Sequence, residues 1–234
     1  SWDDRRVEAR PIPGLEHLPF AEVWLHEAGE ERWREASAAA AALGKTELEV
    51  WTTTRTPGVV SFLLARGFEE HRRYAISRLD VAAAPDPGEP AVPLVTLGER
   101  SDLADELYAL ARVAHADQPG RDGTRLGESW YEWGLRAPCP DAYFIALDDR
   151  GGVAGYGYLE EQDGTWRHGF TAVARAHRGR GIAGAIKRAQ IRFAKQNGIA
   201  ALETANELRV PLLGLSRRLG YEHLCDEVVL RGPA

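Results

Sequence analysis

The sequence predicts an α/β (α+β) fold, a mixed, mainly antiparallel sheet flanked by helices. Three observations carry the prediction. Short apolar runs, several with period-two alternation and bounded by Gly, Pro or Asp, read as strands. Amphipathic stretches with a 3.6-residue period stand between them and read as helices. The strand, helix, strand, helix order of the first segment also returns near the C-terminus, as an internal repeat.

The first segment covers residues 1–84. Ala21 to His26 reads as a strand, Glu30 to Leu43 as a helix that is acidic at its start and followed by Gly44, and Leu48 to Thr53 as a second strand. Pro57 suits a helix start, Val60, Leu63 and Leu64 give it an apolar face, and Gly67 is placed for a left-handed cap. Ala82 to Pro93 holds four prolines among small residues and reads as a linker, with 85–93 as its core.

The second segment, 94–234, begins with a short strand over Leu94 to Gly98. A helix follows from Ser101, its N-cap, to about Ala116, with Leu103, Leu107, Leu110 and Ala114 on one side. Arg125 to Arg136 reads as a second helix rich in aromatics. Asp141 to Leu147 and Gly152 to Glu160 form a hairpin across Asp148 to Gly151, with Tyr156 and Tyr158 facing away from Gly155 and Gly157. Trp166 to Ala174 continues the meander.

The stretch from Thr171 to Tyr221 then organises the rest. After that strand, the run Arg178-Gly179-Arg180-Gly181-Ile182-Ala183 opens a helix with Ile182, Ile186, Ala189 and Phe193 on one face. Lys187, Arg188, Arg192 and Lys195 lie mostly off it. Glycines permit sharp turns and close approach, and the first amides of a helix lack intrahelical acceptors, so this place favours an anion such as a diphosphate. The run does not end in Gly-Lys-Ser/Thr, as a P-loop would.

Arg-x-x-Gly-x-Ala after Thr171-Ala172-Val173, then Leu202-Glu203-Thr204-Ala205-Asn206, then Leu219-Gly220-Tyr221, resembles in order and spacing the GCN5-related N-acetyltransferase (GNAT) superfamily. The resemblance covers the chain from about Leu94 to its end. Leu48-Glu49-Val50-Trp51-Thr52 followed by Leu64-Ala65-Arg66-Gly67-Phe68 echoes the C-terminal motifs, so residues 1–84 resemble the back half of a second such domain. That half carries Glu27-Ala28-Gly29 where the basic loop would stand. Acidic Glu27, Glu30 and Glu31 would repel a diphosphate, which marks it as degenerate and structural.

The resemblance implies that an amine attacks the thioester of acetyl-CoA directly. Gly179, Arg180, Gly181, Ile182 and Ala183 would hold the diphosphate, with Arg178 and Arg180 as charge partners. Thr171, Ala172 and Val173 would flank the cofactor arm, with the Val173 amide near the thioester carbonyl. Asn206 is either a polar contact to the cofactor or a strand-end turn residue.

His168 is a candidate general base, on the same face as Phe170 and Ala172 if the strand alternates; Glu160, Glu161 and a water chain compete with it. Ser216 takes the place of the tyrosine that many GNAT enzymes use as general acid, so water is an alternative donor. Trp130 and Tyr131 are candidates for the acceptor wall, with core packing as the other reading. No metal is implied.

The expected activity is therefore N-acetylation of a small molecule's primary amine. A non-catalytic acyl-CoA-binding or regulatory module and a protein N-acetyltransferase stay open as alternatives.

Bulk properties exclude other classes. The chain has 234 residues, 44% of them hydrophobic, enough for one large or two small domains. A net charge of -6 argues against nucleic acid as a partner, and no apolar run approaches a bilayer's thickness, so no membrane partner is expected. Cys139 and Cys225 show no metal-ligand spacing, and no secretory-type leader stands at the start, so a cytoplasmic setting is expected. A homodimer is among the assemblies the sequence allows.

Overall fold

The structure is a computed structural model describing residues 7–12, 15–117, 139–162, 164–208 and 210–234. Ten strands, mostly antiparallel, and five α-helices occur among them. They fall into two compact units that are discontinuous in sequence, whereas the linker reading divides the chain at 85–93. One unit is Ser1–Ile76 with Ala205–Val210 and His223–Ala234; the other is Ser77–Thr204 with Pro211–Glu222.

The first unit is built on β1 (Ala9–Arg10), β2 (Phe20–Trp24), β3 (Glu47–Thr53), β10 (Glu222–Pro233) and the start of β4 (Glu69–Asp80). β2 and β3 are parallel because α1 (Glu30–Ala42) makes the crossover, and β10 pairs antiparallel with β3. Alternation sends Ala21, Val23, Leu48, Val50, Val228 and Leu230 to one face. There Ala36 and Ala40 of α1 and Val59 and Leu63 of α2 (Pro57–Leu64) close the core. Gly67 adopts φ 81, the left-handed conformation expected after α2.

On the opposite face the Glu49 carboxylate is fully buried. It accepts from Arg72 Nη2 at 2.7 Å and from Arg231 Nη2 at 2.7 Å and Nε at 2.9 Å. Trp24, Trp51 and Tyr74 stack beside it. The sequence reading assigns no strand to residues 69–80, because the run from Glu69 to Arg73 hides the alternation that ends in buried Ile76 and Leu79.

The second unit orders the start of β9 (Ala201–Glu207), then β8 (Thr165–Val173), β7 (Val153–Gln162), β6 (Tyr143–Leu147) and β5 (Leu94–Thr96). β5 to β8 pair antiparallel, while β8 and β9 are parallel across α4 (Ile182–Gln196). One sheet face packs on α3 (Ala104–Ala116). Tyr143, Tyr156, Tyr158 and Ala172 meet Leu103, Leu107, Leu110 and Ala114 there.

The other face packs on α4. Gly155 and Gly157 face it because there is no room for side chains: a Cβ on Gly155 would sit 3.0 Å from Ile182 Cγ2, and one on Gly157 2.9 Å from Ile186 Cγ2. Ser101 does not cap α3 as expected. It begins a 3-10 turn over Ser101–Leu103, and Leu103 stands at the N-cap without a side-chain bond.

A bulge in β8 directs everything near the candidate site. Gly157 pairs with Thr171 and Leu159 with His168, so Gly169 and Phe170 together oppose Tyr158. The extra residue reverses the faces. His168, before the bulge, lies on the α4 side, whereas Phe170 and Ala172 pack with the α3 cluster. The expectation that His168 shares their face is thus corrected, since strict alternation does not hold across a bulge.

Candidate active site

β8 leads through a 3-10 turn over Arg175–His177 into the glycine loop and α4. Gly179 and Gly181 have φ of 77 and 81, and Gly181 is the left-handed N-cap of α4. A Cβ at either would meet nothing within 4 Å, so conformation rather than space requires glycine here. The Gly181 carbonyl accepts from the Ala185 amide at 2.9 Å, the first bond of the helix. The amides of Ile182, Ala183 and Gly184 therefore have no intrahelical acceptor, and no acidic residue stands in the first turn. Gly184 gives the loop a Gly-x-Gly-x-x-Gly spacing as well, but the surrounding sheet is mainly antiparallel, unlike that of dinucleotide-binding folds.

The arginines beside the loop are already engaged. Arg178 donates from Nε to the Val173 carbonyl at 3.1 Å and from Nη2 to Asp117, the residue that ends α3. Arg175 donates to the same carboxylate through Nε, at 3.1 Å, and Nη2. Arg175 first and Arg178 second hold the Asp117 carboxyl down at about 2. Arg180 is exposed on the loop.

Next to the loop, β8 and β9 separate. Their register pairs Trp166 with Leu202 and Arg167 with Glu203, and Thr171, Ala172 and Val173 lie beyond those pairs. Thr171 Oγ1 is buried with no hydrogen-bond partner among the described residues. A strand pair that parts after two residues, with an orphaned hydroxyl beyond, fits an arm that supplies its own amides and carbonyls.

Beneath this opening, on the α4 side, is a buried polar group of residues. His168 Nδ1 donates to Gln190 Oε1 at 2.7 Å, which leaves Nε2 to accept from the Tyr221 hydroxyl. Burial, and secondarily the charge of Lys187, push the His168 pKa well below its usual value, against the Gln190 bond.

Lys187 is buried too, contrary to its expected place off the apolar face. Its Nζ donates to Thr204 Oγ1 on β9 at 3.4 Å, and burial lowers its pKa to about 7. Asn206 is buried in β9, and Ser216 is fully buried in α5 (Pro211–Arg218). Trp130 and Tyr131 lie outside the described residues.

On the opposite face, past the bulge, Glu160, Arg167, Glu203 and Arg78 form a charged row. Glu160 stands opposite Arg167 in the β7–β8 register. Arg167 Nη2 lies 3.2 Å from Glu203, and Arg78 Nη1 3.6 Å from the same carboxylate. Burial raises the Glu160 carboxyl, with Arg167 pulling the other way. Sequence reasoning missed this row as a unit. Its signal is that each strand member, Glu160, Arg167 and Glu203, has a buried neighbour pointing to the other face.

Comparisons with known proteins agree with this geometry. The family model described as Acetyltransferase (GNAT) family matches residues 105–221. The GCN5-related N-acetyltransferase from Sphaerobacter thermophilus superposes with a TM-score of 0.70 at 17% identity, over 97% of this chain and 76% of that one. A tandem GNAT protein from the clavulanic acid biosynthesis pathway gives 0.68 at 22%, over 92% and 75%. A GCN5-related N-acetyltransferase from Kribbella flavida gives 0.63 at 17%, over 98% and 90%. At these identities the superpositions speak for the fold. No curated protein matches the chain in sequence.

Proposed function

The chain belongs to the acetyltransferase (GNAT) family, and from that premise we propose that it transfers an acetyl group from acetyl-CoA directly to the primary amine of a small molecule. The observation that carries this reading is the pairing of a left-handed glycine N-cap at Gly181 with the early parting of β8 and β9. Acetyl-CoA supplies an activated acyl thioester. The amides of Ile182, Ala183 and Gly184 would hold its diphosphate, with Arg180 and Arg178 as charge partners, and Thr171 to Val173 would flank its arm.

The acceptor ammonium must lose a proton before attack, and Glu160 is the base we assign. Burial raises its carboxyl above the usual carboxylate value, with Arg167 opposing, and it lies on the face that Phe170 and Tyr158 share. His168 faces α4 with both ring nitrogens engaged, which suits a strut under the bulge better than a base. Ser216 is fully buried, so the departing thiolate takes its proton from water.

A second reading, acyl-CoA binding without turnover, draws on the same serine, since no phenol stands at that position. Calorimetric titration of acetyl-CoA tests the first step. One site per chain in the wild type and none in Gly181→Asp is the expected result, and no binding to the wild type would sink the assignment. Release of free thiol with an amine present then separates turnover from binding alone.

A further inference from the structure

The charged row on β4, β9, β8 and β7 is unevenly matched. Arg78 and Arg167 share one carboxylate, that of Glu203, whose side chain is only 12% exposed, while theirs are 52% and 36% exposed. Arg167 makes one hydrogen bond to it, through Nη2. The Arg78 guanidinium stays at 3.6 Å, outside hydrogen-bond range, and its side chain makes no hydrogen bond among the described residues. A guanidinium has five N–H donors, so nearly all of those on this pair are uncommitted. Glu203 spaces the two cations without neutralising both, and Glu160, the remaining member, is a carboxyl that burial makes harder to ionise.

Position matters as much as charge. Arg167 and Glu203 are the last residues paired before β8 and β9 separate. Six strand steps from Arg167 to Val173 span roughly 20 Å, so the row lies at the far end of the opening from the glycine loop. An acetyl group whose carrier is anchored at Gly181 would point toward it. Glu160, the base we assign, stands opposite Arg167 in register, within reach of the same ligand.

We propose that the acceptor is an amine that also carries an anionic group, a carboxylate or a phosphate, which Arg78 and Arg167 hold while the amine faces Glu160. This rests on the acetyltransferase reading above and narrows its substrate class. An amine without an anion would leave the free donors of Arg78 and Arg167 without an acceptor from the ligand while placing its own cation beside them, which is unfavourable for binding.

Matched pairs of acceptors test the proposal. Binding to the CoA-saturated protein is measured by calorimetry, and kcat/KM by thiol release. One arm compares α-amino acids with their amides, and the other compares O-phosphoethanolamine with ethanolamine. At least one anionic member should bind about tenfold more tightly than its neutral partner, and the arm that shows this tells carboxylate from phosphate. Arg78→Gln, at a half-exposed side chain without hydrogen bonds, should erase most of that preference through KM and leave acetyl-CoA binding unchanged.

Equal binding within every pair, or an Arg78→Gln loss that is the same for both members, would overturn the proposal alone. Absence of acetyl-CoA binding by the wild type would overturn it together with the reading beneath it.

Discussion

Replacing Lys187 by methionine should stabilise the protein, and the gain should vanish with rising pH. The ammonium is buried between α4 and β9 with Thr204 Oγ1 as a hydroxyl partner at 3.4 Å, and burial alone moves its pKa from 10.5 to about 7. Below pH 7 both folded and unfolded chains carry the charge, and the folded one bears its full cost. Between about 7 and 10.5 the unfolded chain holds a proton that the folded chain has lost, so raising the pH favours folding. Above 10.5 neither is charged and the cost is gone. At 1.36 kcal/mol per pH unit, the window from about 7 to 10.5 amounts to roughly 5 kcal/mol.

Methionine fills a similar volume and removes that cost, at the loss of a hydrogen bond worth about 1 kcal/mol. Lys187→Met should then be about 4 kcal/mol more stable than the wild type at pH 6.5, within the range seen when buried ionic groups give way to apolar ones. Near pH 10.5 it should be equal or slightly less stable. Urea unfolding of both proteins at four or five pH values gives the difference directly; groups remote from Lys187 cancel, and His168, which burial holds neutral in the folded chain, adds little at pH 6.5 and above. A difference that stays flat from pH 6.5 to 10.5 refutes the reasoning, as does a less stable variant at pH 6.5.

Other perturbations follow from the same contacts. Glu49→Ala leaves Arg72 buried without its carboxylate and should cost about 3–5 kcal/mol in urea unfolding; a loss under about 1 kcal/mol would mean that the pair is not truly desolvated. Gly169→Ala places a Cβ 2.0 Å from the Tyr158 ring at the bulge. About 1–3 kcal/mol of destabilisation is expected by thermal melting, with reduced acetyl transfer, and an unchanged melting temperature would contradict it. Asp117→Asn releases Arg175 and Arg178 from a carboxylate that competes with a diphosphate. Acetyl-CoA should bind about 2- to 5-fold more tightly at low salt, with the gain shrinking at high salt, and weaker binding would show that Asp117 instead orders the loop.

What the sequence made legible has a common physical origin. The glycine loop is readable because positive φ at Gly179 and Gly181, orphan amides at a helix start and an apolar stripe are local properties, each written within a few residues. Tyr156 and Tyr158 opposite Gly155 and Gly157 were legible for the same reason, since period two is a backbone property. What stayed hidden depends on partners distant in sequence. The bulge at Gly169 and Phe170 exists only against Tyr158, and it alone decides that His168 faces Gln190 and Tyr221 rather than the Phe170 face. Lys187 looked solvated because a helix pattern shows where a side chain points but not how far a neighbouring strand extends over it.

The same distinction bears on where the chemistry sits. Features that hold a cofactor common to many acceptors are local and loud in the sequence, whereas the row that would choose the acceptor takes one residue from each of four strands, two arginines and two glutamates that only register brings together. Substrate choice on such a sheet can therefore change by a single substitution at Arg78 that leaves the loop, the bulge, the base and the core untouched. An Arg78→Glu variant should then favour amines with a second cationic group over anionic ones. A preference that stays with the anionic members would place selection elsewhere in the chain.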